Sequence, residues 1–433
     1  MTAELRVLIS AEHASARLGG EAALPLHYFR VMRRRGIAVW LVTHARTRDE
    51  LAALYPCDHR IFYIEDTVMH RVLWRIGSWL PDAISYFTTG FLLRLLTQLS
   101  QRRLIRHLVA EHTISVVHQP MPVSPREPSM LFGLGAPVVI GPMNGGMDYP
   151  PAFQRQRGLV ERTLLSWGRT SAVVLNRLLP GKRRAAVLLV ANNRTQDALP
   201  AGVCSNVVEM VENGVDLSLW HAPAAHPRNK QEGAVTFVFM GRLVSLKAVD
   251  LLLRAFAAAR VHAPMRLWIL GDGTERVRLE ALAKELGIAG ATADTTDTVH
   301  FAGWLPQAAC VERLREADCL VLPSLRECGG AVVLEAMSLG KPVIATAWGG
   351  PLDYLDTTCG VLIATDSHEH IVEGFAAAMI AMAQSPAARL RLGLAGLAKV
   401  KFEYDWELKV DRMLNIYAST QIEPKIAGAT SPH

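Results

Sequence analysis

Short apolar runs alternate with segments of helical period along almost the whole chain, and this alternation constrains the sequence more than any other feature. The first half carries strand candidates at Leu5–Ser10, Ala38–Thr43, Val116–His118, Val138–Gly141, Val187–Ala191 and Val207–Val211. The second half carries them at Val235–Met240, Arg266–Leu270, Val299–Ala302, Cys319–Leu322, Val343–Ala347 and Gly360–Ile363. Apolar runs spaced by helices predict an α/β chain with parallel sheets, buried on both faces. A chain of 433 residues exceeds one ordinary core, so two doubly wound domains are expected, not one large sheet. The pattern breaks at Asp216–Glu232, where Pro223 and Pro227 interrupt it. The domains are therefore expected at 1–215 and 216–402, followed by a helix at 403–418 and a tail at 419–433.

Charge separates the halves. Residues 1–225 hold 25 Lys and Arg against 17 Asp and Glu, a net of +8, and residues 226–433 hold 21 against 23, a net of −2. Two readings stand for the first half only, an anionic partner such as phospholipid, a phosphorylated acceptor or nucleic acid, or an ordinary solvated surface rich in arginine. Its cations concentrate in an insert at 69–110, where Leu95, Leu96, Leu99, Ile105, Leu108 and Val109 recur at helical spacing between Arg94, Arg102, Arg103 and Arg106, with Trp74 and Trp79 upstream. Two readings stand: a core helix whose arginines face water, or a basic amphipathic helix lying on an anionic membrane. A second basic stretch, Arg155–Arg184, contains Trp167 and ends in Lys182-Arg183-Arg184. Nucleic acid is not expected, because the cations alternate with aliphatic residues and no nucleic-acid motif accompanies them.

The Leu5–Ser10 run lacks the apolar region and cleavage site of a secretory peptide, and no apolar run has the roughly 18–20 residues needed to span a bilayer. The six cysteines show no C-x-x-C pairing. Reduced thiols and a cytoplasmic compartment are expected, with peripheral contact at the inner face of the membrane left open.

Three segments of the second half carry chemistry. In the first, an apolar strand ending at Leu322 leads through Glu327-Cys328-Gly329-Gly330 into a helix from about Ala331 that contains Glu335 and stops at Gly340. Side-chain-free residues at a helix start leave amides open to an anion such as a diphosphate. Two carboxylates at those depths suit hydroxyl recognition, one on a donor sugar and one on a ribose diol. The second segment, Gly241-Arg242-Leu243-Val244-Ser245-Leu246-Lys247, sets two cations after a strand and a glycine turn. Such cations suit a phosphate: Arg242 offers paired donors and Lys247 a point charge. A plain surface turn is the competing reading. In the third, a strand runs into Gly271-Asp272-Gly273, which lacks the third glycine of a nicotinamide-binding fingerprint.

Together these segments resemble the retaining glycosyltransferases of family 4, the group 1 glycosyl transferases of GT-B fold. Glu327 and Glu335 meet the E-x7-E signature, Gly241, Arg242 and Lys247 the Gly-Arg-Leu…Lys element, and Gly271 and Gly273 the Gly-x-Gly turn. Asn213-Gly214-Val215-Asp216 is similar to the family's interdomain segment, and Phe402–Tyr417 to its returning terminal helix. The sequence departs from the family at Cys328-Gly329-Gly330, where many relatives have a small residue, Phe and Gly, and at Ala248, where Gly is common. The resemblance implies two Rossmann-like domains facing a cleft, with acceptor bound N-terminally and donor C-terminally. It makes Arg242, Lys247, Glu327 and His118 the catalytic set, and extends donor binding to Gly19, Gly20, Cys328, Gly329, Gly330, Ala331 and Glu335. Asn144 and Gly145, in Gly141-Pro142-Met143-Asn144-Gly145-Gly146, would line the cleft on the acceptor side. For His118 a structural role stands beside a ligand contact.

The implied activity is metal-independent, retaining transfer of a hexosyl group from a nucleotide-diphosphate sugar to a glycan or polyprenyl-linked acceptor, in bacterial surface polysaccharide or exopolysaccharide synthesis. No cofactor is expected, and without a D-x-D sequence no metal. Another GT-B nucleotide-sugar enzyme, an epimerase or a phosphorolytic one, and a non-catalytic nucleotide-sugar binder are the alternatives.

Overall fold

The computed structural model describes residues 5–156, 171–221, 233–290 and 292–421. The chain divides into two compact units. Unit 1 comprises Met1–Gly146, Arg157–Glu212 and Lys409–His433, and unit 2 comprises Met147–Gln156 and Asn213–Leu408. The ten residues Met147–Gln156, which the sequence pattern assigns to the first domain, thus pack with the second.

Unit 1 is built on a seven-stranded parallel sheet. Its strands are β1 (Arg6–Ser10), β2 (Ala38–His44), β3 (Ile61–Ile64), β4 (Val116–Gln119), β5 (Val138–Met143), β6 (Val187–Val190) and β7 (Val207–Glu209), in the order β3-β2-β1-β4-β5-β6-β7. The order reverses between β1 and β4, the switch point at which a doubly wound sheet opens a crevice. The central strands β4, β5 and β6 are buried along their whole length, and β6 reads as a continuous apolar run. The edge strand β3 is not expected from the sequence. Its Phe62 and Tyr63 are half-buried on both faces, so neither alternation nor a continuous buried run marks it.

Unit 2 holds a six-stranded parallel sheet. Its strands are β8 (Val235–Met240), β9 (Met265–Leu270), β10 (Val299–Gly303), β11 (Cys319–Leu322), β12 (Val343–Thr346) and β13 (Gly360–Ile363), in the order β10-β9-β8-β11-β12-β13. Here the switch point lies between β8 and β11. The apolar helix Val249–Ala259 covers the sheet and buries Val249, Leu251, Leu252, Leu253 and Phe256, each a side chain worth roughly 2 kcal/mol on burial.

The helix Trp406–Ser419 begins in unit 2 and continues into unit 1. Within unit 1, Lys409 donates to the Val211 carbonyl and Gln421 to that of Ser115 at 2.8 Å. All six cysteines are free thiols. No single helix among the described residues is long and apolar enough to cross a membrane.

The insert folds as three helices, Val68–Gly77, Asp82–Phe87 and Thr89–Glu111. The long one is a core helix. Ile105, Leu108 and Val109 bury against Leu8, Val42 and Val117. Arg94 pairs with Glu127 at 2.7 Å, and Arg102 donates to the Phe132 carbonyl at 2.9 Å. The C-terminal part of its apolar stripe is thus taken up by the core of unit 1, while Leu95, Leu96 and Leu99 are half-buried. In the second basic stretch, 157–170 with Trp167 lies outside the described residues. Lys182, expected on a basic surface, is buried. It donates to the carbonyls of Ser124 at 3.0 Å and Pro125 at 2.7 Å, and burial pushes its ammonium down to about 7.

Candidate functional site

The chemistry-bearing residues of unit 2 gather at the carboxyl ends of β8 and β11, on the two sides of the switch point. The loop after β8 passes Gly241, Arg242 and Leu243 and turns through Ser245–Lys247 into the Val249–Ala259 helix. The loop after β11 carries Ser324 and Glu327. Backbone bonds zip the two together, since the Leu246 carbonyl accepts from Leu325 N at 3.0 Å and Arg326 N at 3.3 Å. That zipper brings Lys247 Nζ onto Glu327 Oε2 as a salt bridge, with both side chains largely buried. Ser324 Oγ donates to the same carboxylate oxygen at 3.3 Å. The Arg242 side chain is exposed and makes no hydrogen bond or ion pair with the described residues, while its carbonyl accepts from Val244 N at 3.1 Å. The pair neutralises itself, which leaves Arg242, and Arg326 beside Glu327, as charges on this edge without an ion-pair partner among the described residues.

The glycines do different work than the sequence alone suggests. A Cβ on Gly271, at φ +137°, would lie 1.9 Å from the Gly241 carbonyl oxygen, and one on Gly273 would lie 2.3 Å from that of Leu243. The Gly-x-Gly turn thus lets the β9 loop sit against the β8 loop and set where Arg242 begins. Gly330, at φ +68°, ends the β11 loop in the left-handed region and starts the Ala331–Ser338 helix with no side-chain cap. Its first amides therefore have no side-chain partner, an arrangement suited to an anion. Ala248 adopts φ +48° at the start of the Val249–Ala259 helix, which accounts for glycine being common at that position in the family it resembles.

Glu335 lies one turn into the Ala331–Ser338 helix and is partly exposed. Burial by the surrounding protein nonetheless raises its carboxyl to about 7. The Cys310 thiol, on helix Gln307–Glu316, is raised to about 11, first by burial and then by the charge on Glu335. Sequence reasoning missed Gly349 and Gly350. Gly350 N donates to the Glu327 carbonyl at 2.6 Å, and a Cβ there would lie 2.5 Å from the Gly329 oxygen. A glycine pair just past strand β12 was the available signal. Among the described residues, no group of three or more His, Cys, Asp or Glu side chains is placed to hold a metal ion.

The unit 1 residues divide. Gly19 and Gly20 are exposed at the start of helix Gly20–Arg34, with open space where a Cβ would stand. The structure places His118 in the interior of unit 1. It is fully buried, and its Nε2 donates to the Gly141 carbonyl at 2.6 Å, so its Nδ1 accepts from the Tyr417 hydroxyl at 2.8 Å. Asn144 and Gly145 are likewise tied into the fold. Asn144 is buried and donates to Glu212 Oε2 at 2.7 Å, and Gly145 N donates to Thr195 Oγ1 at 3.1 Å with Pro125 against its Cα. Burial lowers the His118 imidazole from 6.5 to about 4, so the unfolded chain takes up its proton first as pH falls. Stability is then lost between about pH 6.5 and 4, roughly 2–3 kcal/mol in all. Melting temperatures measured across that range should fall less steeply in His118→Phe than in wild type, and equal slopes would contradict the assignment.

Comparison with known proteins bears on this geometry. Residues 224–387 match the family described as Glycosyl transferases group 1. The D-inositol 3-phosphate glycosyltransferase of Thermomonospora curvata is 35% identical over 235 residues, 49% of this chain and 52% of that protein. The chain spans about half the length of the curated relatives it matches. Two solved structures share the fold across 96% of the chain. Anabaena Alr3699/HepE in complex with UDP has a TM-score of 0.62 at 14% identity and is covered over 100% of its chain. The sucrose-phosphate synthase of Thermosynechococcus elongatus has a TM-score of 0.64 at 16% identity and is covered over 98%. The fold is GT-B, and the segment 224–387, which carries Arg242, Lys247, Glu327 and Glu335, matches the glycosyl transferases group 1 family.

Proposed function

We propose that this protein transfers a hexosyl group from a nucleotide-diphosphate sugar to a glycan or polyprenyl-linked acceptor, with retention at the anomeric carbon and without a metal, in cytoplasmic assembly of a polysaccharide. One observation carries the reading: cations, the Glu327 carboxylate and an uncapped helix start share the switch-point edge of the unit 2 sheet. Relatives and solved neighbours support a nucleotide-sugar donor, since one is named a glycosyltransferase and another was crystallised with UDP-glucose. In this reading Arg242, Lys247 and the amides after Gly330 meet the diphosphate, Glu327 meets the sugar, and Glu335 meets the ribose diol. The bond from the anomeric carbon to the diphosphate oxygen breaks as the acceptor oxygen bonds to the same face. The acceptor's proton passes to the departing phosphate, whose charge is stabilised by the cations already in place. No protein base is needed for that transfer.

A thermal-shift screen of nucleotide sugars tests donor binding, because a ligand at 100 times its Kd stabilises the folded state by about 2.7 kcal/mol. Product analysis with labelled donor then separates transfer from epimerisation, phosphorolysis or binding alone. Label remaining in free sugar or its phosphate would sink the proposal. The Glu335 carboxyl adds a pH signature. Its diol contact needs the ionised form, so donor affinity should strengthen as pH rises through about 7, and Glu335→Gln should flatten that profile. Unliganded stability runs the other way. The folded value lies above 4.5, so the contribution of this group declines as pH climbs from about 4.5 to about 7.

A further inference from the structure

The Val68–Gly77 helix is amphipathic with its apolar side turned outward. Val68, Val72 and Ile76 stand at i, i+4 and i+8, on one strip with Met69, and all four are exposed. The buried positions are His70, whose Nε2 meets Thr97 Oγ1 at 3.2 Å, and Gly77, which lies against Thr89 and Ser85. In an ordinary surface helix the polar residues face water and the apolar strip faces the core. Here the apolar strip faces water as well.

Apolar exposure continues past the strip. Trp74, on another side of the same helix, is 65% exposed, Trp79 just beyond its end is 86%, and Phe87 and Leu92 are exposed on the next two helices. Scattered single apolar residues on a surface need no explanation, but a run of this density within 25 residues does. The helices beneath it are fixed by the close packing at Gly77 and by the Arg94–Glu127 ion pair. This is a held surface and not a frayed segment.

Charge chooses the occupant. Between residues 67 and 110 the chain has six arginines and a single acidic residue, Asp82. Arg71 and Arg75 lie on the same exposed turns as the apolar strip and form no ion pair with the described residues. The two acids just before the helix are already engaged, Glu65 by Arg48 at 2.5 Å and Asp66 by Arg46 at 2.8 Å. Tryptophans and aliphatics flanked by uncompensated arginines match the boundary between headgroups and acyl chains of an anionic leaflet. We infer that the Val68–Gly77 helix, with Trp79 and the Asp82–Phe87 helix beside it, is a docking face for an anionic phospholipid bilayer, lying in the interface and not crossing it. The inference deepens the proposed use of a lipid-linked acceptor, but it stands on the surface of unit 1 alone.

The test is co-sedimentation of the full chain with vesicles of phosphatidylcholine, with or without phosphatidylglycerol. Binding to the anionic vesicles is expected, weakening as salt is raised. A V72S/I76S/W79S variant should bind at least about tenfold more weakly with its melting temperature unchanged, because those side chains contact water in the folded protein. Arg71→Ala with Arg75→Ala should remove the preference for anionic lipid. Failure of the wild type to bind anionic vesicles, or equal binding by the serine variant, overturns the inference. So does a stable dimer in solution that the serine variant dissociates, since a second copy would then cover the face. Donor thermal shifts recorded on the same samples keep the two ideas apart. Vesicle binding without any donor shift removes the transferase reading and leaves the docking face standing.

Discussion

Arg242→Ala is expected to lower turnover of a nucleotide sugar by about 10²–10³-fold. The argument starts from charge. Lys247 is held by Glu327, so the pair presents almost no net field to an incoming diphosphate. Arg242, on the same loop, is exposed and unpaired among the described residues. It is therefore the charge that develops its full attraction only when the leaving group becomes more negative, which is the condition for lowering a barrier instead of merely tightening binding. Stability should hardly change, by less than ~0.5 kcal/mol or a shift of ~2 °C, because no folded-state contact is lost. Arg242→Lys should fall between the two, keeping the charge and losing the paired donors. Steady-state kinetics beside a melting curve checks all three statements. Near-normal turnover in Arg242→Ala would refute the assignment of this edge as the donor site.

The second large effect is structural. Gly271→Ala places a methyl 1.9 Å from the Gly241 carbonyl oxygen at a backbone φ of +137°. Left-handed strain of about 1–3 kcal/mol adds to an overpacking cost of similar or larger size. Neither neighbour can give, because the Gly241 amide is bonded to Leu270 and the Gly271 amide to Gly303. The loss of several kcal/mol approaches the whole stability of a domain, so unit 2 should unfold at far lower denaturant while unit 1 retains its amide protection. Hydrogen exchange resolves the two units. Gly20→Ala is the control, with nothing within 4 Å of its added methyl and a helical position to fill. Equal unfolding midpoints for the two variants would show that the β8 and β9 loops do not pack as described.

How far the sequence was legible depended on whether the signal was local. β8 and β11 begin and end where their apolar runs do, because strands buried on both faces of a parallel sheet favour apolar residues at nearly every position. β3 went unseen because an edge strand with two half-buried faces obeys no such rule. The Glu327–Glu335 spacing was visible as residue types and distances along the chain. The raised carboxyl of Glu335 was not, because it comes from neighbours supplied by other elements, the helix bearing Cys310 among them. His118 shows the limit from the other side. A histidine ending a strand looks the same in sequence whether its ring meets a ligand or, as here, Gly141 and Tyr417.

By itself the sequence determined the α/β class, the two parallel sheets, the positions of most strands and the family resemblance of the second half. Each of these follows from periodicity or from residues close together in the chain. Tertiary structure alone decided that Lys247 is neutralised by Glu327 and that Lys182 lies buried against two carbonyls. It alone decided that the apolar strip at Val68–Ile76 faces outward while the one at Ile105–Val109 faces the core. The reason is physical. Which side of a helix is wet, and which charge is left uncompensated, depend on what residues distant in sequence place opposite them, and an amphipathic pattern is the same string whichever way it turns.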